Sequence, residues 1–213
     1  MTSLKLTEIF YSLQGETRTV GWPTVFIRLT GCPLRCTYCD TAYAFTGGVK
    51  KSLADILAEV AGYSARYVTV TGGEPLAQAD CISLLDALVA ERYEVSLETG
   101  GAMDVSRVHP AVVKVIDLKT PGSGEMARNR YENLEYLSPK DQIKFVITSQ
   151  DDYNWARGQL EQYRLHERCE VLFSPATGLF DATQLAESLL ADRLPVRFQI
   201  QLHKLLWGDS PGR

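Results

Sequence analysis

Val25-Phe26-Ile27-Arg28-Leu29-Thr30-Gly31-Cys32-Pro33-Leu34-Arg35-Cys36-Thr37-Tyr38-Cys39-Asp40-Thr41 decides how this chain is read. Residues 25–30 are an apolar run of strand length. Three of the five cysteines then fall within eight residues, spaced C-x3-C-x2-C at Cys32, Cys36 and Cys39. Thiolates suit zinc, copper(I) or iron–sulfur. A structural zinc site takes four protein ligands, and Cys81 and Cys169 lie far off in other expected elements. A cubane cluster held by three cysteines leaves one iron open. An incomplete zinc knuckle closed by a carboxylate or histidine is the weaker reading. The odd cysteine count and the absence of a secretory pattern at the first residues argue against a disulfide framework.

Outward from this stretch, strands and helices alternate. Strands are expected over residues 67–71, 94–97, 112–116, 143–147, 171–173 and 196–200, with a short alternating strand near the start. Helices are expected after the cap Ser52, after Asp80, over 152–165, and after an Asp181/Gln184 capping box. Residues 104–112 leave little room for a helix. The pattern of about six or seven strands predicts an α/β fold, a partial (reduced) TIM-like barrel in a single domain over residues 1–213. A Rossmann-like open sheet is the rival, although neither G-x-G-x-x-G nor a P-loop is present.

The 213 residues carry 45% hydrophobic and 23% charged side chains and a formal net charge of −4. That balance suits a soluble globular protein with reduced thiols in the cytoplasm, argues against non-specific nucleic-acid binding as its main role, and leaves no run long enough to span a membrane. The polar oddities gather after strand ends: the cysteine loop, Gly72-Gly73-Glu74-Pro75, Glu98-Thr99, Asp117/Lys119, Ser149 and His203. In barrels and open α/β sheets the carboxyl ends of strands hold the ligand, so these residues predict one pocket. Arg28 lies inside a strand and needs a partner; a salt bridge and a ligand carboxylate both satisfy it.

C-x3-C-x-aromatic-C, with Tyr38 as the aromatic, together with Gly72-Gly73-Glu74-Pro75 resembles the radical S-adenosylmethionine enzymes. Ser12-Leu13-Gln14-Gly15-Glu16, Gly21-x-Pro23-x-x-Phe26-x-Arg28-x-x-Gly31-Cys32, Cys39-Asp40-Thr41, Glu98-Thr99-Gly100, Asp117-Leu118-Lys119 and His203-Lys204 resemble the branch that makes 7-carboxy-7-deazaguanine. This resemblance implies a lyase of queuosine and 7-deazapurine biosynthesis. Its substrate would be 6-carboxy-5,6,7,8-tetrahydropterin, with release of ammonia after a 5'-deoxyadenosyl radical has taken a hydrogen atom. It also implies a [4Fe-4S] cluster on Cys32, Cys36 and Cys39, S-adenosylmethionine along Gly73, Glu74, Thr99 and Ser149, and Mg2+ on Thr41. Gln14, Glu16, Arg28 and His203 would surround the pterin carboxylate. A homodimer and a flavodoxin-like or other electron donor complete the implied set. For Lys119, cofactor contact and a salt bridge to Asp117 or Glu98 both stand. Tyr43, Phe45 and Trp207 would cover the heterocycle or pack in the core or a dimer. Thr17 departs from relatives that carry glycine there, and some relatives place a terminal carboxylate near the ligand, a role left open for Arg213. A glycyl-radical activase is the nearest rival and a non-catalytic metal scaffold the more distant one.

Overall fold

The computed structural model describes residues 2–208, 210 and 212. The reading of Arg213 as a ligand-side carboxylate lies outside the described residues.

Nine strands among the described residues form one sheet: β1 (Ser3–Leu13), β2 (Pro23–Leu29), β3 (Val49–Ser52), β4 (Tyr67–Gly72), β5 (Glu94–Thr99), β6 (Val113–Asp117), β7 (Gln142–Ile147), β8 (Glu170–Pro175) and β9 (Arg197–Phe198). Their order is β3-β1-β2-β4-β5-β6-β7-β8-β9. From β2 onward every pairing is parallel. β1 pairs antiparallel with both β2 and β3. The parallel strands follow chain order and never reverse, so the sheet has no topological switch point. That separates it from the Rossmann-like rival and makes it an open, barrel-type array. With right-handed crossovers, sequential order places the connecting helices on one face. The other face is free to line a site.

Strand alternation shows the division. Val25, Ile27, Leu29, Val68, Val70, Val95, Leu97, Ile143, Phe145 and Ile147 join the apolar core. Their neighbours Phe26, Arg28, Thr71, Glu98, Lys144 and Val146 face a cavity. This is the period-two consequence of the pleat. The helices α1 (Leu53–Gly62), α2 (Cys81–Ala90), α3 (Gln150–Gln162), α4 (Leu165–Arg168), α5 (Ala182–Ala191) and α6 (Leu202–Trp207) complete the chain. Ser52 caps α1 by accepting from Asp55 N, Ser149 caps α3 by accepting from Asp152 N, and Asp181 caps α5 by accepting from Gln184 N.

Local departures from the sequence reading have physical causes. The side chain of Asp80 does not cap α2; its Oδ2 accepts from Ser3 N at 3.1 Å and ties the first strand down. β3 adds a strand at the sheet edge, where Val49-Lys50-Lys51-Ser52 is largely exposed and carries no apolar alternation. Charged residues are a common guard on such edges. At the opposite edge β9 keeps only two residues of the expected five-residue strand. Residues 104–112 carry no helix. Cys81 is fully buried in the core, as a small packing group.

Candidate active site

The strand ends enclose a cavity of about 240 Å³ lined by Cys32, Cys36 and Cys39 and by Glu16, Lys144 and His203. Backbone builds the first wall. Gly31 and Gly72 adopt φ of +103° and +151°, conformations open to glycine. Glu74 N donates to Gly31 O at 2.8 Å, and Gly73 N donates to Leu29 O at 3.2 Å. A Cβ on Gly73 would lie 2.3 Å from Gly31 O and 2.8 Å from Cys32 Cβ. Only glycine lets the Gly-Gly-Glu-Pro turn press this closely on the cysteine loop.

Glu74 points away from the cavity. It is fully buried and accepts from Thr99 Oγ1 at 2.9 and 2.8 Å, from Gly100 N at 2.8 Å and from Leu76 N at 3.1 Å. Burial pushes its carboxyl up in spite of these donors. Glu74 therefore locks two strand-end loops together, and the cavity receives Gly72, Gly73, Thr99 and Gly100 instead. Ser149 is not among the cavity-lining residues; its hydroxyl is the α3 cap.

Charge builds another part of the lining. Lys144 Nζ lies 2.6 Å from Glu16 Oε2 and 3.6 Å from Asp117 Oδ2. Lys119 Nζ meets the same Asp117 oxygen at 3.0 Å, so the salt-bridge reading of Lys119 is realised. Burial alone would pull the Lys144 ammonium down, but Glu16, Asp117 and Glu98 together hold it well above its ordinary value. Burial likewise pushes Glu16 up, and Lys144 and Gln201 outweigh it, leaving the carboxyl lowered. Glu98 goes the other way: burial and the Glu16 charge raise it against Lys144 and Thr71. Gln14 is engaged within the chain, donating to Glu98 Oε1 at 3.3 Å and Thr69 Oγ1 at 3.1 Å and accepting from Glu16 N at 3.1 Å.

Arg28 lines the cavity and forms an ion pair, Nε to Glu8 Oε1 at 2.7 Å. Its guanidinium sits over the Phe10 and Tyr43 rings, and Tyr43 OH donates to the same Glu8 oxygen. Thr41 also lines the cavity, donating to Asp40 Oδ1 at 2.8 Å. His203 stands against Gly15, where a Cβ would come 2.4 Å from His203 Nδ1. Burial lowers the imidazole in spite of Glu16 and Asp40, so it is neutral at pH 7. Phe45 lines the cavity, whereas Tyr43 and Trp207 do not.

Sequence reasoning missed Lys144 and Gln201. Lys144 was detectable by the argument applied to Arg28: a cation inside Ile143-Lys144-Phe145-Val146-Ile147 must find a partner. Gln201 carries no local signal, because its partners lie far along the chain.

The cysteines fit a cluster by their chemistry. Among the described residues, no three His, Cys, Asp or Glu side chains form a single-ion site. The three thiols are part-exposed and share one cavity wall. Burial pushes the Cys36 thiol up to about 11, opposed by the Lys119 ammonium; a bound iron would supply the positive partner that makes such a thiol a thiolate.

A family profile described as the Radical SAM superfamily matches residues 26–117, from β2 through β6. A 7-carboxy-7-deazaguanine synthase of Chlorobaculum tepidum is 44% identical over 97% of this chain and 96% of its own. The chain belongs to the 7-carboxy-7-deazaguanine synthase family. A member from Koribacter versatilis is 42% identical over 96% of this chain and 97% of its own. The crystal structure of QueE from Escherichia coli superposes with a TM-score of 0.78 at 27% identity, covering 95% of this chain and 96% of that one. Streptococcus suis SuiB bound to S-adenosylmethionine shares the fold at a TM-score of 0.56 and 15% identity, over 80% of this chain and 45% of its own. The radical S-adenosylmethionine fold thus lies within a chain that matches these two synthases over 96% and 97% of their own length.

Proposed function

We propose that this protein converts 6-carboxy-5,6,7,8-tetrahydropterin to 7-carboxy-7-deazaguanine with release of ammonia, as a radical S-adenosylmethionine carbon–nitrogen lyase of queuosine biosynthesis. One observation carries the reading: the cysteine loop, Gly72-Gly73 and the Gln14/Glu16/Arg28/His203 set line the same cavity, in a chain that matches a synthase over 97% of its length. Cys32, Cys36 and Cys39 would hold a [4Fe-4S] cluster, and Gly73 and Thr99 flank the space for S-adenosylmethionine, with Glu74 fixing that wall. When bound, cluster and S-adenosylmethionine supply the radical that removes a hydrogen atom from substrate.

The chain's own residues do the rest. The Arg28 guanidinium, fixed on Glu8, presents a cation to the substrate carboxylate. Glu16, kept ionised by Lys144, accepts from the amino edge of the heterocycle. Neutral His203 offers a ring nitrogen without adding charge. Thr41 would supply an oxygen ligand for Mg2+. The walls exclude water and hold the reacting groups in one geometry. A homodimer, a flavodoxin-like electron donor and a cytoplasmic location complete the proposal. Among the described residues no helix is long and apolar enough to cross a membrane.

The test is an anaerobic assay of reconstituted, reduced protein with S-adenosylmethionine, Mg2+ and the tetrahydropterin acid, following product mass and ammonia together. The deazaguanine acid should form with the parent and vanish with Cys36→Ala. Formation of 5'-deoxyadenosine without that product would sink the pterin assignment.

A further inference from the structure

Two of the carboxylates that line the cavity belong to different loops. Glu16 ends the Gln14-Gly15-Glu16 turn after β1, and Asp40 follows the last cysteine. A single amide joins them. Gln201 Nε2 donates to Glu16 Oε1 at 3.0 Å and to Asp40 Oδ2 at 3.1 Å. Its Oε1 accepts from Thr177 Oγ1 at 3.1 Å, which fixes the amide orientation from a third loop. The segment is anchored by Leu202 N donating to Gly15 O at 3.0 Å. Lys204 Nζ reaches the same Asp40 oxygen at 3.5 Å. Asp40 itself accepts from the Thr41 hydroxyl.

Two like charges facing one cavity repel, and side chains on separate loops would drift apart. An NH2 group has two hydrogens, and here each is given to a different carboxylate. We infer that Gln201 is a positioning residue that sets the separation of Glu16 and Asp40, and so registers the substrate-side wall against the cluster loop. Gln201 is assigned no contact with substrate; it acts through the two carboxylates. The inference rests on the reading of Glu16 as a substrate contact.

Two variants separate positioning from packing. Gln201→Met keeps the volume and removes both donors; Gln201→Glu removes them and adds a third negative charge. The first measurement is binding of the tetrahydropterin acid to cluster-free protein. Affinity should fall about tenfold with Gln201→Met and further with Gln201→Glu, at an unchanged melting temperature for Gln201→Met. Such a loss corresponds to about 1.4 kcal/mol, the scale of one charge-assisted hydrogen bond. The second is the ratio of product to 5'-deoxyadenosine in the reconstituted enzyme, which should drop because a misplaced substrate no longer captures the radical productively. A packing role would leave both readouts at the parent values in Gln201→Met, and that result overturns the inference alone. Failure of the parent to bind the pterin acid overturns the functional reading and this inference with it.

Discussion

The two walls of the cavity are made in opposite ways. The cysteine wall is backbone: glycines at positive φ, a turn pressed on Gly31, and a Glu74 carboxylate turned inward to tie loops together. The other part is side-chain charge: Glu16 and Lys144 join the β1–β2 loop to β7, and Asp117 and Lys119 carry the charge on to the cysteine loop, where Lys119 sits over the Tyr38 ring. The first has no room for a Cβ at Gly72 or Gly73. The second tolerates no missing charge. A site that must hold a large cofactor beside a small acidic ring has put shape in one part of its lining and electrostatics in another.

The largest expected effect comes from removing the central cation. Lys144→Met leaves Glu16 and Asp117 short of a buried partner, and breaking such a pair costs roughly 3–5 kcal/mol. Denaturant unfolding of the variant against the parent measures it. The pH dependence has a definite sign. Glu16 is held below its ordinary value by Lys144, so its contribution is present above about pH 4.3 and is lost as pH falls through the folded value. The parent should therefore lose stability on acidification where Lys144→Met does not. The gap between them should narrow below about pH 4, because a protonated Glu16 needs no cation. A constant gap from pH 3 to 8 would break the assignment of charge to this wall.

Next in size is the shape wall. Gly73→Ala drives a methyl into Gly31 O and Cys32 Cβ and must displace the cysteine loop. A shift of about 1 Å at reacting groups costs on the order of 100-fold in turnover. Iron content after reconstitution and product formation should fall together. Normal turnover by Gly73→Ala would show that the close approach is incidental.

The smallest effect sharpens the comparison at the edge of the charged wall. Thr17 adopts φ of +67° directly after Glu16, a region unfavourable to a β-branched residue. Thr17→Gly relieves that strain but gives the unfolded chain more freedom, and the two terms offset to within about 1 kcal/mol. Thermal unfolding should move little and turnover should stay at the parent level. A large loss of turnover would mean that Thr17 stiffens the Glu16 loop.

The same division explains what the sequence disclosed. Cys32, Cys36, Cys39 and Gly72-Gly73-Glu74-Pro75 are contiguous, and backbone shape is written in short runs. Strand alternation and the apolar helix faces were readable for the same reason, since pleat and helix periods are local. The inward turn of Glu74 was hidden, because its donors Thr99 and Gly100 lie 25 and 26 residues on. The Lys144–Glu16 pair spans 128 residues and the Gln201–Glu16 bond 185; no window along the chain holds both partners. Arg28 kept both of its readings, paired with Glu8 and facing the cavity. Ser149 shows the opposite case: a strand-end hydroxyl whose first duty is the helix that follows.

The bond from Leu202 to Gly15 closes the molecule in time as well as in space. Synthesis proceeds from the amino end, and contacts of such long range form late. While the last strand and helix are still in the ribosome, the cysteine loop is already made, but the wall that Gln201, His203 and Lys204 complete does not yet exist.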